Sequence, residues 1–182
     1  MQIINIKQII GLIALFSVVA LASVSSVRAS DDIQPPELPA SCGNLQVPTG
    51  NEVFFRTYAI GVQVYRWNGT SWDFLAPIAN LYADDNYRGQ VGIHYAGPTW
   101  ESRSGSKVVA SRLTDCTPDA TAIPWLLLQT VSTEGRGIFR RVTYIHRVNT
   151  VGGLRPTALG TTVGEERRIP YTAEYYFYRA GD

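Results

Sequence analysis

From Glu52 to the C-terminus, short runs rich in Val, Ile, Tyr, Phe, Trp and Thr alternate with Gly, Pro, Asn and Asp. That is the pattern of strands punctuated by turns. No window of helical length carries the i, i+3, i+4, i+7 stripe of an amphipathic helix. The pattern predicts strands at 62–67, 70–77, 78–83, 90–96, 106–113, 125–132, 138–148 and 170–178. Asn68-Gly69 between the first two suits a tight type I′ turn. STEGRG (132–137) marks a second hairpin, and the Thr/Gly-rich interval 150–168 reads as a loop. So many strands in one antiparallel all-β domain imply a sandwich or a closed barrel, and the pattern leaves both open.

Alternation also assigns faces, because successive strand side chains point to opposite sides. Val91, Ile93 and Tyr95 share one face and Gln90, Gly92 and His94 the other. Val142, Tyr144, His146 and Val148 oppose Thr143, Ile145 and Arg147. On the last strand Ala173, Tyr175 and Phe177 oppose Thr172, Glu174, Tyr176 and Tyr178. A strand with aromatics on both sides has a core on one and a lined cavity or groove on the other.

The N-terminus has a different texture. Lys7 precedes a 14-residue apolar run, Ile9 to Ala22, and Val27 and Ala29 hold the −3 and −1 positions of a cleavage site. This predicts a signal peptide over 1–29 and an extracytoplasmic destination: periplasm, cell surface or medium. The alternative is an uncleaved anchor, if the apolar stretch extends through Val27. Residues 30–50 carry four prolines and predict an extended surface arm before a β-domain at 51–182. Loss of Lys7 and Arg28 with the leader turns the formal charge from +1 to −1. That balance leaves no electrostatic footprint for nucleic acid or an anionic membrane, and with the leader cleaved no membrane span is expected. The two cysteines, Cys42 and Cys116, are expected to pair in an oxidising compartment, two free thiols being the alternative.

Four stretches in order, HYAGPTWE (94–101), IPWLLLQ (123–129), VTYIHRVNTVGG (142–153) and PYTAEYYFY (170–178), resemble a family of secreted bacterial and fungal proteins called domain of unknown function 3455. The resemblance runs from about Val53 to Tyr178. It implies a shared fold and supplies no catalytic residues, because no activity is established for the family. Some fungal members carry a malate dehydrogenase label, but this chain has no G-x-G-x-x-G after a strand and no βαβ alternation. Family members often carry cysteines where this chain has Trp67 and near Leu159. A bridge there in relatives would be absent here, and loop 150–168 must be held otherwise.

Candidate chemistry is sparse. His94 and Glu101 flank Gly97-Pro98, a turn that could bring them together as an acid/base pair; the alternative is a structural histidine and a solvated glutamate. His146 sits on an apolar face, as a core histidine does. With two histidines and no ligand-spaced pair, no zinc site and no cofactor are expected. Asp84, Asp85 and Asn86 form an acidic loop that reads as a surface turn rather than a calcium site. Trp100, after the Gly-Pro turn, is expected to be an exposed stacking platform, and Trp125 a core residue. Arg147, Asn149 and Tyr176 complete the expected ligand-binding set with Trp100 and His94. Three functions follow: a module binding a small molecule or glycan, a hydrolase or isomerase using His94 and Glu101, or an envelope or matrix protein without a small-ligand site.

Overall fold

The structure, a computed structural model, describes residues 33–181; the leader expected at 1–29 lies outside the described residues. Eight antiparallel strands follow one another around a closed barrel. They are β1 (Asn51–Trp67), β2 (Trp72–Tyr82), β3 (Gln90–Tyr95), β4 (Thr99–Ser102), β5 (Lys107–Cys116), β6 (Trp125–Glu134), β7 (Tyr144–Gly152) and β8 (Glu166–Ala180). The last strand returns to the first, pairing Asn51 with Ala180 and running to Arg66–Glu166. Closure removes the free edges that an open sheet must protect, and it selects the barrel over the sandwich.

The inner face alternates large and small residues, which is how a small barrel fits its side chains. Ala59, Ala79, Ala110 and Ala173 make room for Trp100, Tyr175 and Phe177. Gly61 and Gly92 let strands approach closely: a Cβ on either would overlap the neighbouring strand's backbone. At one end, Phe139 plugs the barrel against Phe55 and Phe177, with ring centroids 6.1 and 4.9 Å away.

Several local expectations are corrected. The 70–77 and 78–83 runs are one strand, β2. Residues 68–71 form a four-residue loop instead of a type I′ turn. Only Gly69 of the pair has positive φ, and the Asn68 side-chain oxygen accepts the N–H groups of Thr70 and Ser71. Such Asx turns are a common alternative use of asparagine. Ile138–Arg141 is a 3₁₀ turn, and β7 begins only at Tyr144, because Phe139 turns inward as the plug. The short strand β4 lies within the stretch read as a turn followed by Trp100 and Glu101.

The arm is not simply an extended surface segment. Ala40–Leu45 forms a 3₁₀ turn whose Cys42 and Leu45 are fully buried. They pack on the outer face of the barrel against Trp125, Leu127, Val148, Tyr176 and Tyr178. Burying a leucine stabilises by about 1.5–3 kcal/mol. The expected Cys42–Cys116 disulfide is present, with Cα atoms 5.5 Å apart. His146 completes the seam. Its Nε2–H donates to the Leu45 carbonyl (2.7 Å), and its Nδ1 accepts from the Tyr178 hydroxyl (3.0 Å). The two aromatic faces of β8 are thus explained: one is the barrel interior, the other the bed of the arm. No helix among the described residues is long and apolar enough to cross a membrane.

Candidate functional site

The barrel end opposite the Phe139 plug encloses a cavity of about 660 Å³. The β1–β2, β3–β4, β5–β6 and β7–β8 connections surround it, as the up-and-down order requires. Its walls are mostly apolar: Phe74, Leu75 and Pro77 from β2, Leu126 and Leu128 from β6, and Leu154 from the last loop. Gln63 and Tyr65 enter from β1 on one alternating row, and β2 bulges opposite them: Val64 pairs with Ala76 and Tyr65 with Phe74, which leaves Leu75 as the extra residue. A bulge re-aims side chains locally, so the consecutive Phe74 and Leu75 both line the cavity. The Tyr65 hydroxyl donates to the Gly153 carbonyl (2.7 Å) and ties the β7–β8 loop to the rim.

His94 and Trp100 line the deep part of the cavity as cross-strand partners on β3 and β4. Trp100 is 1% exposed, so the expected exposed platform is overturned: the sheet alternation turns its indole into the barrel. His94 is 3% exposed, and its Nδ1–H donates to the Thr99 carbonyl (2.8 Å). Burial lowers its pKa to about 3, the Thr99 carbonyl opposing the shift and the nearby Arg147 charge adding to it. The imidazole is therefore neutral at ordinary pH, with its Nε2 lone pair left over. Burial raises the phenols of Tyr171 and Tyr175, whose hydroxyls meet at 3.4 Å.

Glu101 is not brought to His94. It pairs with Ile93, one residue out of step, and so projects from the opposite face of the sheet. There its carboxylate accepts from the Tyr95 hydroxyl (2.8 Å) and lies 3.7 Å from Lys107 Nζ. The expected ligand-binding set divides as well. Trp100, His94 and Arg147 line the cavity, whereas Asn149 and Tyr176 lie outside, in a groove with arm residues Ile33–Glu37 and Arg56. Both outer residues bond Glu174: Asn149 Nδ2 at 2.9 Å and the Tyr176 hydroxyl at 2.9 Å. Asp84 is occupied by Arg88 and by the N–H groups of Asn86 and Arg88, as a surface turn requires.

The sequence reading missed Gln63, Tyr65, Arg155 and the apolar walls of the site. One signal was available for Gln63, a lone amide on the inward row Ala59, Gly61, Gln63. Tyr65 is the next member of that row, so the same signal pointed to it, whereas the β2 bulge that brings Phe74 and Leu75 together is not announced by alternation. Arginine is the only charged residue type lining the cavity: Arg112, Arg147 and Arg155. Arg112 pairs with Asp115 at 3.3 Å. Arg147 and Arg155 have no salt bridge among the described residues. Arg147 Nε and Nη2 donate to the Pro124 carbonyl at 3.2 and 2.8 Å, which orients the guanidinium at the cavity wall.

No curated protein and no solved structure shows significant similarity to the chain. A family model described as "Protein of unknown function (DUF3455)" matches residues 48–179, which takes in every strand of the barrel and all of the cavity. The barrel with its disulfide-tethered arm and its arginine-lined cavity belongs to the DUF3455 family.

Proposed function

We propose that the protein is an exported, non-catalytic binding barrel that holds one small, largely apolar molecule in the mouth-end cavity. The observation that carries this reading is the cavity itself. Its volume of about 660 Å³ falls within the roughly 300–1,000 Å³ range of ligand sites, and its wall is mainly apolar with a few polar groups. Eight-stranded barrels are wide enough to be filled by side chains or to hold one small ligand. Here the plugged half is filled and the other half is open. An acid/base enzyme would need a carboxylate within hydrogen-bond reach of His94, and the register sends Glu101 to the other face. The leader expected at 1–29 and the disulfide support export.

The test is titration with the neutral fluorophore N-phenyl-1-naphthylamine, followed by its emission and by thermal shift. A ligand at one hundred times its Kd adds about 2.7 kcal/mol of stability. Binding that is lost in Ala96→Trp, which places a large ring in the mouth turn, is the expected result. Absence of binding to the native protein, or binding indifferent to Ala96→Trp, overturns the reading and favours an envelope or matrix role.

A further inference from the structure

We infer that the cavity's ligand is an organic acid: an apolar body carrying a carboxylate or similar anion, with the anion set against Arg147. This rests on the binding reading above and names the ligand class for the same cavity.

Two observations bear on the same cavity. The first is charge. Arg112, Arg147 and Arg155 line the cavity with no aspartate or glutamate among its lining residues. Of these, Arg147 is the cross-strand partner of Tyr175, a core residue that also lines the cavity. A guanidinium has five N–H donors; the Pro124 carbonyl takes two and the Tyr175 hydroxyl another, which leaves donors for a ligand. The donors left on the guanidinium suit a carboxylate, which such a group binds through paired N–H···O bonds. The second is the wall. Phe74, Leu75, Pro77, Leu126 and Leu128 surround the rest of the space, so the remainder of the ligand is hydrocarbon. Neutral His94 adds no competing charge and offers one acceptor.

The cavity lies far from the other arginine-rich feature of the molecule, the shallow patch of Arg136, Arg140, Arg141 and Arg179 beside the Phe139 plug. That patch has one phenylalanine and one isoleucine for a wall, too little to hold a hydrocarbon body.

The experiment is a displacement titration. N-phenyl-1-naphthylamine is bound first, then competed by 1-naphthylacetate or by its neutral isostere 1-naphthylacetamide. The acid is expected to displace the fluorophore at a concentration about tenfold or more below the amide, since a hydrogen bond to a charged group supplies that margin. In Arg147→Gln that preference should fall to about unity, read as the ratio of acid to amide so that any change in fluorophore affinity cancels. Arg147→Lys, which keeps the charge, should retain a preference and shows that the variant site is folded. Equal displacement by acid and amide, displacement by neither, or a preference unchanged in Arg147→Gln overturns the anion assignment while leaving a neutral-ligand barrel standing. Failure of the fluorophore to bind the native protein removes both readings at once.

Discussion

The imidazole of His94 lies nearly parallel to the indole of Trp100, with ring centroids 4.2 Å apart and planes 15° from coincidence. Tyr175 meets both rings edge-on, at 5.2 and 5.4 Å. This three-ring cluster forms the floor of the cavity and the roof of the filled half of the barrel.

The stack fixes how stability responds to acid. His94 titrates near 6.5 when unfolded and at about 3 when folded, so between those values the unfolded chain binds a proton that the native state refuses. Stability should be unaffected by this residue above pH 6.5 and fall as pH drops toward 3, by about 1.4 kcal/mol for each pH unit crossed. His146, also lowered by burial, adds in the same direction. Urea unfolding at pH 7, 5.5 and 4.5 measures the slope. His94→Gln should flatten it relative to the native protein, and an unchanged slope would assign the acid sensitivity elsewhere.

Trp100 is under strong packing constraint and carries an unpaired donor. Trp100→Ala should cost about 3–5 kcal/mol in equilibrium unfolding, as buried tryptophan truncations do. Trp100→Phe keeps most of the ring contact and removes the orphaned N–H, so it should cost markedly less. Equal losses in the two variants would mean that the indole N–H is satisfied after all.

The disulfide closes a long loop, with a sequence separation of 74. Cys42→Ser with Cys116→Ser should lower stability by about 4 kcal/mol on the loop-entropy account. The far-UV signature of the barrel should persist, while limited proteolysis cuts the arm first, between residues 33 and 50. Arm and barrel unfolding together without added sensitivity would show that packing on Trp125, Leu127 and Tyr178 holds the arm unaided.

The loop from 153 to 165 is anchored without a covalent bond. Gly160 lies against the Trp67 ring, which a Cβ would overlap. Trp72 Nε1 donates to the Ala158 carbonyl (2.8 Å), and Trp67 exchanges backbone hydrogen bonds with Gly164 and Glu165. Gly160→Ala should cost about 1–3 kcal/mol by overpacking, whereas Gly43→Ala, with open space around it, should be close to neutral. Comparing the two midpoints in urea checks this.

Much of the fold was legible because its signals are local. Period-two alternation placed Ala173, Tyr175 and Phe177 together, and they face the interior. Cys42 and Cys116 were paired by arithmetic and compartment alone. Features that depend on contacts distant in sequence were not legible. Trp100 looked exposed because it follows Gly97-Pro98, yet a four-residue strand across from His94 turns it inward. Phe139 sat inside an apparent strand, and only the open barrel end it fills explains the 3₁₀ turn. The cavity joins residues from β1 to β8, so it existed in the sequence only as scattered singletons such as Gln63 and Arg147.

The seam between β1 and β8 ties the first strand of the barrel to the last, with Gly181 N–H also bonded to the Gly50 carbonyl at 2.8 Å. A ribosome makes Asn51 long before Ala180. The ring therefore cannot close on a nascent chain, and its most distant contacts form last. Until the fifteen residues of β8 emerge, the barrel stays open and this polypeptide remains threadable, which is the condition a chain must meet to pass through a narrow channel before it folds.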